Sequence, residues 1–250
     1  MKKSALVLAS LAALASQAAT ALGAGDLSFT AVNADEDGWA MVSFVDIAPN
    51  TTLYFTDNEW TGSAFNTGES YHQWNSGAST IVAGTVIRFQ NIDVAGLSST
   101  FGTLTRATVS GSTNYGLSAS EDSIYAYTAS SVTGSPTFIA AATTTAFGTA
   151  SAGVLTNTGL SVGNGAIALG GGAEYEEYIG SRSGQASFAA YKAMVGNIAN
   201  WTNNPKDGSY AAMVPNTTAF SVTAVPEPET YALMLSGLMA VGFIARRRRG

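Results

Sequence analysis

The run Trp39-Ala40-Met41-Val42-Ser43-Phe44-Val45-Asp46-Ile47 alternates so that Ala40, Val42 and Phe44 fall on one face of an extended chain. Successive side chains of a strand point to opposite faces, so this spacing predicts a strand. The same period recurs in Thr85–Gln90, where Thr85, Ile87 and Phe89 lie opposite Arg88. In Ser123–Thr128, Tyr125 and Tyr127 lie opposite Ile124 and Ala126. Further strands are expected at Leu27–Val32, Thr52–Thr56, Ser70–Trp74, Leu104–Val109, Thr137–Ala141, Ala166–Leu169 and Ala219–Thr223, separated by Gly, Ser, Thr and Asn. Many short alternating strands with frequent turns predict a mainly β fold, an antiparallel β-sandwich. One stretch departs from the pattern. Ser187–Ala199 spaces Phe188, Tyr191, Val195 and Ile198 by three, four and three, which predicts one short helix over residues 187–199.

Charge divides the chain into parts. Of its 250 residues, Lys2, Lys3 and Arg246–Arg249 hold six of the 11 basic ones. Gly25–Val225 keeps five basic against fifteen acidic residues, a net charge of −10. So acidic a body has no footprint for a phosphate backbone, which excludes nucleic acid as a partner. Cysteine is absent, which excludes disulfides, thiolate nucleophiles and Cys-ligated metals. A single histidine, His72, excludes multi-His metal clusters within one chain.

The two ends read as addresses. Residues 1–24 form a signal peptide with its signal helix: Lys2-Lys3, the apolar stretch Ala5–Leu14, then the small-x-small triplets Ser16-Gln17-Ala18 and Ala19-Thr20-Ala21. Ala24 is a third cleavage point. Residues 25–224 are the exported domain. At the other end stand Val225-Pro226-Glu227-Pro228-Glu229-Thr230, the apolar run Tyr231–Ala245, and Arg246, Arg247, Arg248 and Arg249. As a membrane helix, 231–245 is about 22 Å long against a hydrocarbon core of about 30 Å, a deficit that snorkelling arginines reduce. The arginines hold the tail on the cytoplasmic side of the inner membrane. Pro226 and Pro228 keep the residues before them out of a helix, so the break between body and anchor is sharp.

This C-terminal arrangement over residues 225–250 closely resembles the PEP-CTERM sorting signal of Gram-negative bacteria. The resemblance implies that an exosortase recognises the tail and cleaves near Val225-Pro226-Glu227-Pro228, after signal peptidase has removed the N-terminus. It also implies a species that makes extracellular polysaccharide and biofilm. The body has a resemblance of its own. Asn33-Ala34-Asp35, Leu53-Tyr54-Phe55-Thr56-Asp57-Asn58-Glu59-Trp60, Glu121–Tyr127, Pro136–Ala141 and Ala199-Asn200-Trp201-Thr202 are similar to blocks of a bacterial exported β-sandwich family, Ig-like and distantly related to the lamin-tail fold. That likeness implies a fold and a location, and no general activity.

Several residue groups could do chemistry. Asn33-Ala34-Asp35-Glu36-Asp37-Gly38 matches the first half of an EF-hand loop, whose alternate oxygens face a cation. Phe44 stands where that loop needs a bidentate Glu, so an EF-hand is excluded. Two readings stay open: a Ca2+ site formed by Asn33, Asp35 and Asp37 with Asp57 and Glu59, or a polar hairpin turn. Glu174, Glu176 and Glu177, interleaved with Tyr175 and Tyr178, read as solvated charges on a sheet edge or as half of a hydrolytic carboxylate pair. No Gly-x-Ser-x-Gly elbow accompanies His72, so it reads as structural or as a surface residue. Trp39, Trp60, Trp74 and Trp201 with ten tyrosines could stack on sugar rings or fill a core. The leading expectation is a non-enzymatic protein tethered briefly at the inner membrane, then delivered to the cell surface or extracellular matrix. A carbohydrate-binding module for exopolysaccharide and a secreted carboxylate-dependent hydrolase are the alternatives.

Overall fold

The computed structural model describes residues 21–172, 174–204, 206–223, 233–239 and 246. The body is two stacked sheets. The strands are β1 (Leu27–Asn33), β2 (Gly38–Ser43), β3 (Thr52–Thr56), β4 (Tyr71–Asn75), β5 (Val86–Gln90), β6 (Ser98–Ser99), β7 (Thr103–Arg106), β8 (Ser123–Thr128), β9 (Thr137–Thr143), β10 (Ser161–Val162), β11 (Gly165–Ala168) and β12 (Tyr175–Glu177). One sheet has the order β12-β1-β2-β5-β6 and is antiparallel throughout. The other runs β10-β11-β9-β8-β3-β4-β7. There the structure corrects the all-antiparallel expectation, because β11 pairs in parallel with both β9 and β10. Between β9 and β11 the chain crosses over through residues 144–164 instead of turning back on itself, and that return gives parallel pairing.

Large rings fill the space between the sheets. Trp39 of β2 lies 5.1 Å from Phe55 of β3 and 5.4 Å from Phe89 of β5, with Trp74 of β4 5.9 Å from Phe89. Burying each such ring is worth about 4–6 kcal/mol of gross transfer energy. A second core lies on the outer face of the seven-stranded sheet, where Tyr125, Tyr127 and Phe138 pack under Trp60 and Phe65. A bulge in β9 makes this possible. Ala126 pairs with Ala140 and Tyr127 with Phe138, so Ile139 is the extra residue and Phe138 turns outward.

The helix is shorter than its apolar stripe. α1 spans Ala189–Val195 and buries Tyr191 and Val195, then stops at Gly196. Asn197 is extended and its side chain caps a separate 3-10 turn, Ile198–Asn200. The expected strand Ala219–Thr223 does not form; Val222 makes one bridge to Gln185. Residues 206–223 instead cross the outer face of the five-stranded sheet as a strap. Asn33 Nδ2 donates to the Tyr210 carbonyl at 2.9 Å at one end. At the other, Phe220 N donates to the Gly84 carbonyl at 2.8 Å and Thr223 N to that of Gln185 at 2.8 Å. Gly84 has φ +88°, and a Cβ there would lie 2.2 Å from the Phe220 carbonyl oxygen, so the strap docks only against glycine.

Leu22 is buried in the main core and Gly25 N donates to the Ile139 carbonyl at 2.8 Å. Packing against the body is thus already in place at residue 22. The signal helix expected over residues 1–24 falls, for residues 1–20, outside the described residues. In the expected membrane helix, residues 233–239 are helical and exposed. Among the described residues no helix is long and apolar enough to cross a membrane.

Candidate functional site

Thr56-Asp57-Asn58 leaves β3 and stitches the following loop to Glu69 and Ser70. Thr56 Oγ1 donates to the Ser70 carbonyl at 2.6 Å. Asn58 Nδ2 donates to Thr56 Oγ1 at 2.8 Å and to the Ser70 carbonyl at 3.0 Å, while its Oδ1 accepts from Glu69 N at 3.2 Å. Glu59 and Asn66 hydrogen-bond side chain to side chain, and Trp60 Nε1 donates to the Thr156 carbonyl at 2.8 Å. The distinctive Phe-Thr-Asp-Asn-Glu-Trp block is thus a buried polar knot that shapes a loop. Asn58→Ala strips it of two donor bonds and leaves Glu69 N unmatched. Urea unfolding should show a loss of about 2–3 kcal/mol.

The knot continues into Asp57, Ser70 and His72, all at most 2% exposed. Asp57 Oδ1 accepts from Ser70 N at 2.6 Å and from Ser70 Oγ at 2.8 Å, and Oδ2 has no partner. His72 Nε2 faces the Ile92 carbonyl at 3.3 Å; a carbonyl only accepts, so the ring proton sits on Nε2. Burial lowers the His72 pKa to about 4 and raises that of Asp57 well above the usual range, with Asp122 adding repulsion. Serine, histidine and aspartate do meet here, in the order Asp–Ser–His. The serine hydroxyl is committed to the carboxylate and the imidazole is sealed from solvent, so the group offers substrate no activated nucleophile. His72 is structural.

Two carboxylates hold neighbouring amides of the loop that closes this end of the sandwich. Asp37 Oδ1 accepts from Leu117 N at 2.5 Å and Asp122 Oδ2 from Ser118 N at 2.7 Å. Leu117, buried, plugs the gap between the sheets. Burial pushes the Asp122 carboxyl up to about 7 and that of Asp37 up to about 6.

These bonds account for the expected calcium ligands. Asn33 Oδ1 accepts from Asp35 N and Glu36 N, both at 3.1 Å, and Asp35 Oδ2 from Tyr210 N at 2.7 Å. Asp37, at φ +57°, turns the chain from β1 into β2. Asn33–Gly38 is a hairpin turn in which Asn33, Asp35 and Asp37 accept from backbone amides and Glu36 pairs with Arg88. Asp57 and Glu59 belong to the knot. Among the described residues no three carboxylate or imidazole side chains gather where they could hold a metal ion; the structure places Asn33, Asp35 and Asp37 in the hairpin and Asp57 and Glu59 in the knot.

Two other expectations change. Glu176 is not a solvated edge charge: it is 5% exposed, accepting from Thr202 Oγ1 at 2.6 Å and Asn204 N at 2.9 Å. Residues 201–204 cover β12, the edge that the glutamates were expected to guard. All four tryptophans are buried, as are seven of the nine described tyrosines, so these rings build cores. A cavity of about 470 Å3 lies beside them between the Gly170–Gly172 loop, Trp201 and Lys206.

Residues 224–249 match the family model described as the PEP-CTERM protein-sorting motif, which takes in Val225, Pro226, Glu227, Pro228 and Arg246–Arg249. The chain is therefore an exported protein sorted by an exosortase and anchored to the membrane beforehand. No curated protein and no solved structure matches it. Sequence reasoning found this tail because its order of motif, apolar run and arginines is local. It missed the strap and the Leu117 latch, because Tyr210 docks on Asn33 and Leu117 on Asp37, far away in sequence.

Proposed function

We propose that the chain is a non-enzymatic surface or extracellular-matrix protein, whose acidic sandwich is delivered outside the cell once an exosortase has removed the tail. The observation that carries this reading is the sorting motif at residues 224–249, which begins directly after Thr223, a strap residue hydrogen-bonded to the body. The body's buried polar groups support a structural role, since Asp57, Ser70, His72, Asn58 and Glu176 are spent on holding loops. Association with extracellular polysaccharide or biofilm belongs to the same proposal.

Cells making the full chain, with and without an exosortase, test it by fractionation. With the enzyme, the body is expected at the surface or in the matrix; without it, in the inner membrane. Equal distribution in both strains would remove the tail from the account.

A further inference from the structure

The strap decides which end of the body the sorting tail leaves from. Near its start, just after Gly208 N donates to Glu174 Oε2 at 2.7 Å, Tyr210 lies at the hairpin end of β2, held by Asn33 and Asp35. Its last residues, Phe220 to Thr223, lie at the opposite end, beside Gly84, Arg182 and Gln185. Between those points the chain travels the length of β2, six residues or about 20 Å. Without the strap, the tail would leave from the acidic hairpin end.

Resting on the anchored precursor described above, we propose that the exit end is a membrane-facing surface. It is formed by the Val82–Thr85 turn, Gln185 and Phe220–Thr223, and it sits against lipid headgroups while the Asp35–Asp37 end points away. Chain length argues for this first. Eight Cα-to-Cα steps separate Thr223 from Tyr231, the start of the apolar run, at most about 29 Å when fully extended. A body of this size is about 40 Å across. The tether therefore keeps the exit end near the bilayer and leaves the hairpin end outermost.

The chemistry of the two ends agrees. At the exit, Val82 and Val222 are 61% and 38% exposed. The charges there balance: Asp46 and Arg182, and the ion pair of Lys192 with Asp26 at 3.3 Å. At the far end Asp93, Asp35 and Glu36 set like charge against Asp37, and Arg88 pairs with Glu36. An anionic leaflet repels that end and tolerates the neutral, partly apolar one.

The absence of cysteine makes the test clean. Val82→Cys at the exit end and Ser120→Cys, exposed beside the Leu117 latch, each carry one fluorophore on the full chain. Both are reconstituted in phosphatidylethanolamine and phosphatidylglycerol vesicles containing a headgroup-nitroxide lipid. Quenching is expected to be several-fold stronger at position 82. A flexible Gly/Ser insert after Thr223, which leaves the body's folding untouched, should bring the two positions toward parity. Equal or stronger quenching at position 120 in the uninserted chain overturns the proposal while leaving anchoring intact. A chain that fails to float with the vesicles overturns the anchoring itself, and the proposal with it.

Discussion

The body will unfold more easily at about pH 8 than at about pH 5, the reverse of a protein held by ionised carboxylates. Asp122, pushed up to about 7, and Asp37, pushed up to about 6, bind protons in the folded state that the unfolded chain releases near pH 4. Asp57 is raised as well. A raised carboxyl favours folding at low pH and loses that advantage as pH climbs through its folded value. His72 acts oppositely: its folded value of about 4 lies below 6.5, so the unfolded chain binds that proton first as pH falls. Between about pH 4 and 6 the carboxyls outnumber the histidine, and above about pH 6.5 the histidine no longer counts. Each net proton is worth about 1.4 kcal/mol per pH unit. Asp122→Asn keeps an acceptor for Ser118 N, gives up the one that Oδ1 offers Ser123 N at 2.7 Å, and removes one such proton. Urea unfolding across pH should therefore show a slope flatter by about 1.4 kcal/mol per unit. A parent more stable at about pH 8 than at about pH 5 would contradict the burial of these acids.

Phe220→Ala should free the strap. The ring is 3% exposed, stacked on Tyr178 at 5.8 Å, edge-on to Tyr191 at 5.0 Å and under the Arg182 guanidinium at 5.0 Å. Removing such a ring costs about 3–5 kcal/mol. The strap's other side chains are mostly exposed, so the loss falls on local opening more than on global unfolding. Hydrogen exchange should speed up at the Phe220, Ser221 and Thr223 amides, whose acceptors are the carbonyls of Gly84, Arg182 and Gln185. The β2 amides should keep their protection, and a protease should cut between residues 206 and 219. Unchanged protection at those three amides would mean that the ring does not pin the strap.

How far the structure was legible depends on where each signal resides. Thr52–Thr56 and Ser123–Thr128 are strands over the residues that alternation predicts, because both are inner strands with one face on each core. Tyr125 and Tyr127 were placed opposite Ile124 and Ala126, and the structure puts the two pairs in different cores. Period alone says nothing of direction, so the parallel pairing of Ala166–Ala168 with Ala141–Thr143 was not visible. Ala219–Thr223 alternates as a strand would, yet Phe220 is fixed by rings from three distant segments and only Val222 makes a bridge. The edge strand Tyr175–Glu177 was hidden by its charges, since Glu176 is buried through bonds to Thr202 and Asn204. The Asn33–Gly38 oxygens read equally well as ligands or as turn-makers. Only their partners, the amides of Asp35, Glu36, Leu117 and Tyr210, separate the two.

The most direct test of the account is the intact mass of the protein recovered outside exosortase-containing cells. The predicted species has lost Arg246–Arg249 and ends within residues 224–230, because the strap protects the chain through Thr223. It starts at or before Leu22, because that side chain is buried in the main core and cleavage after Ala24 would leave a hole there. An extracellular species that still carries the four arginines would contradict the account.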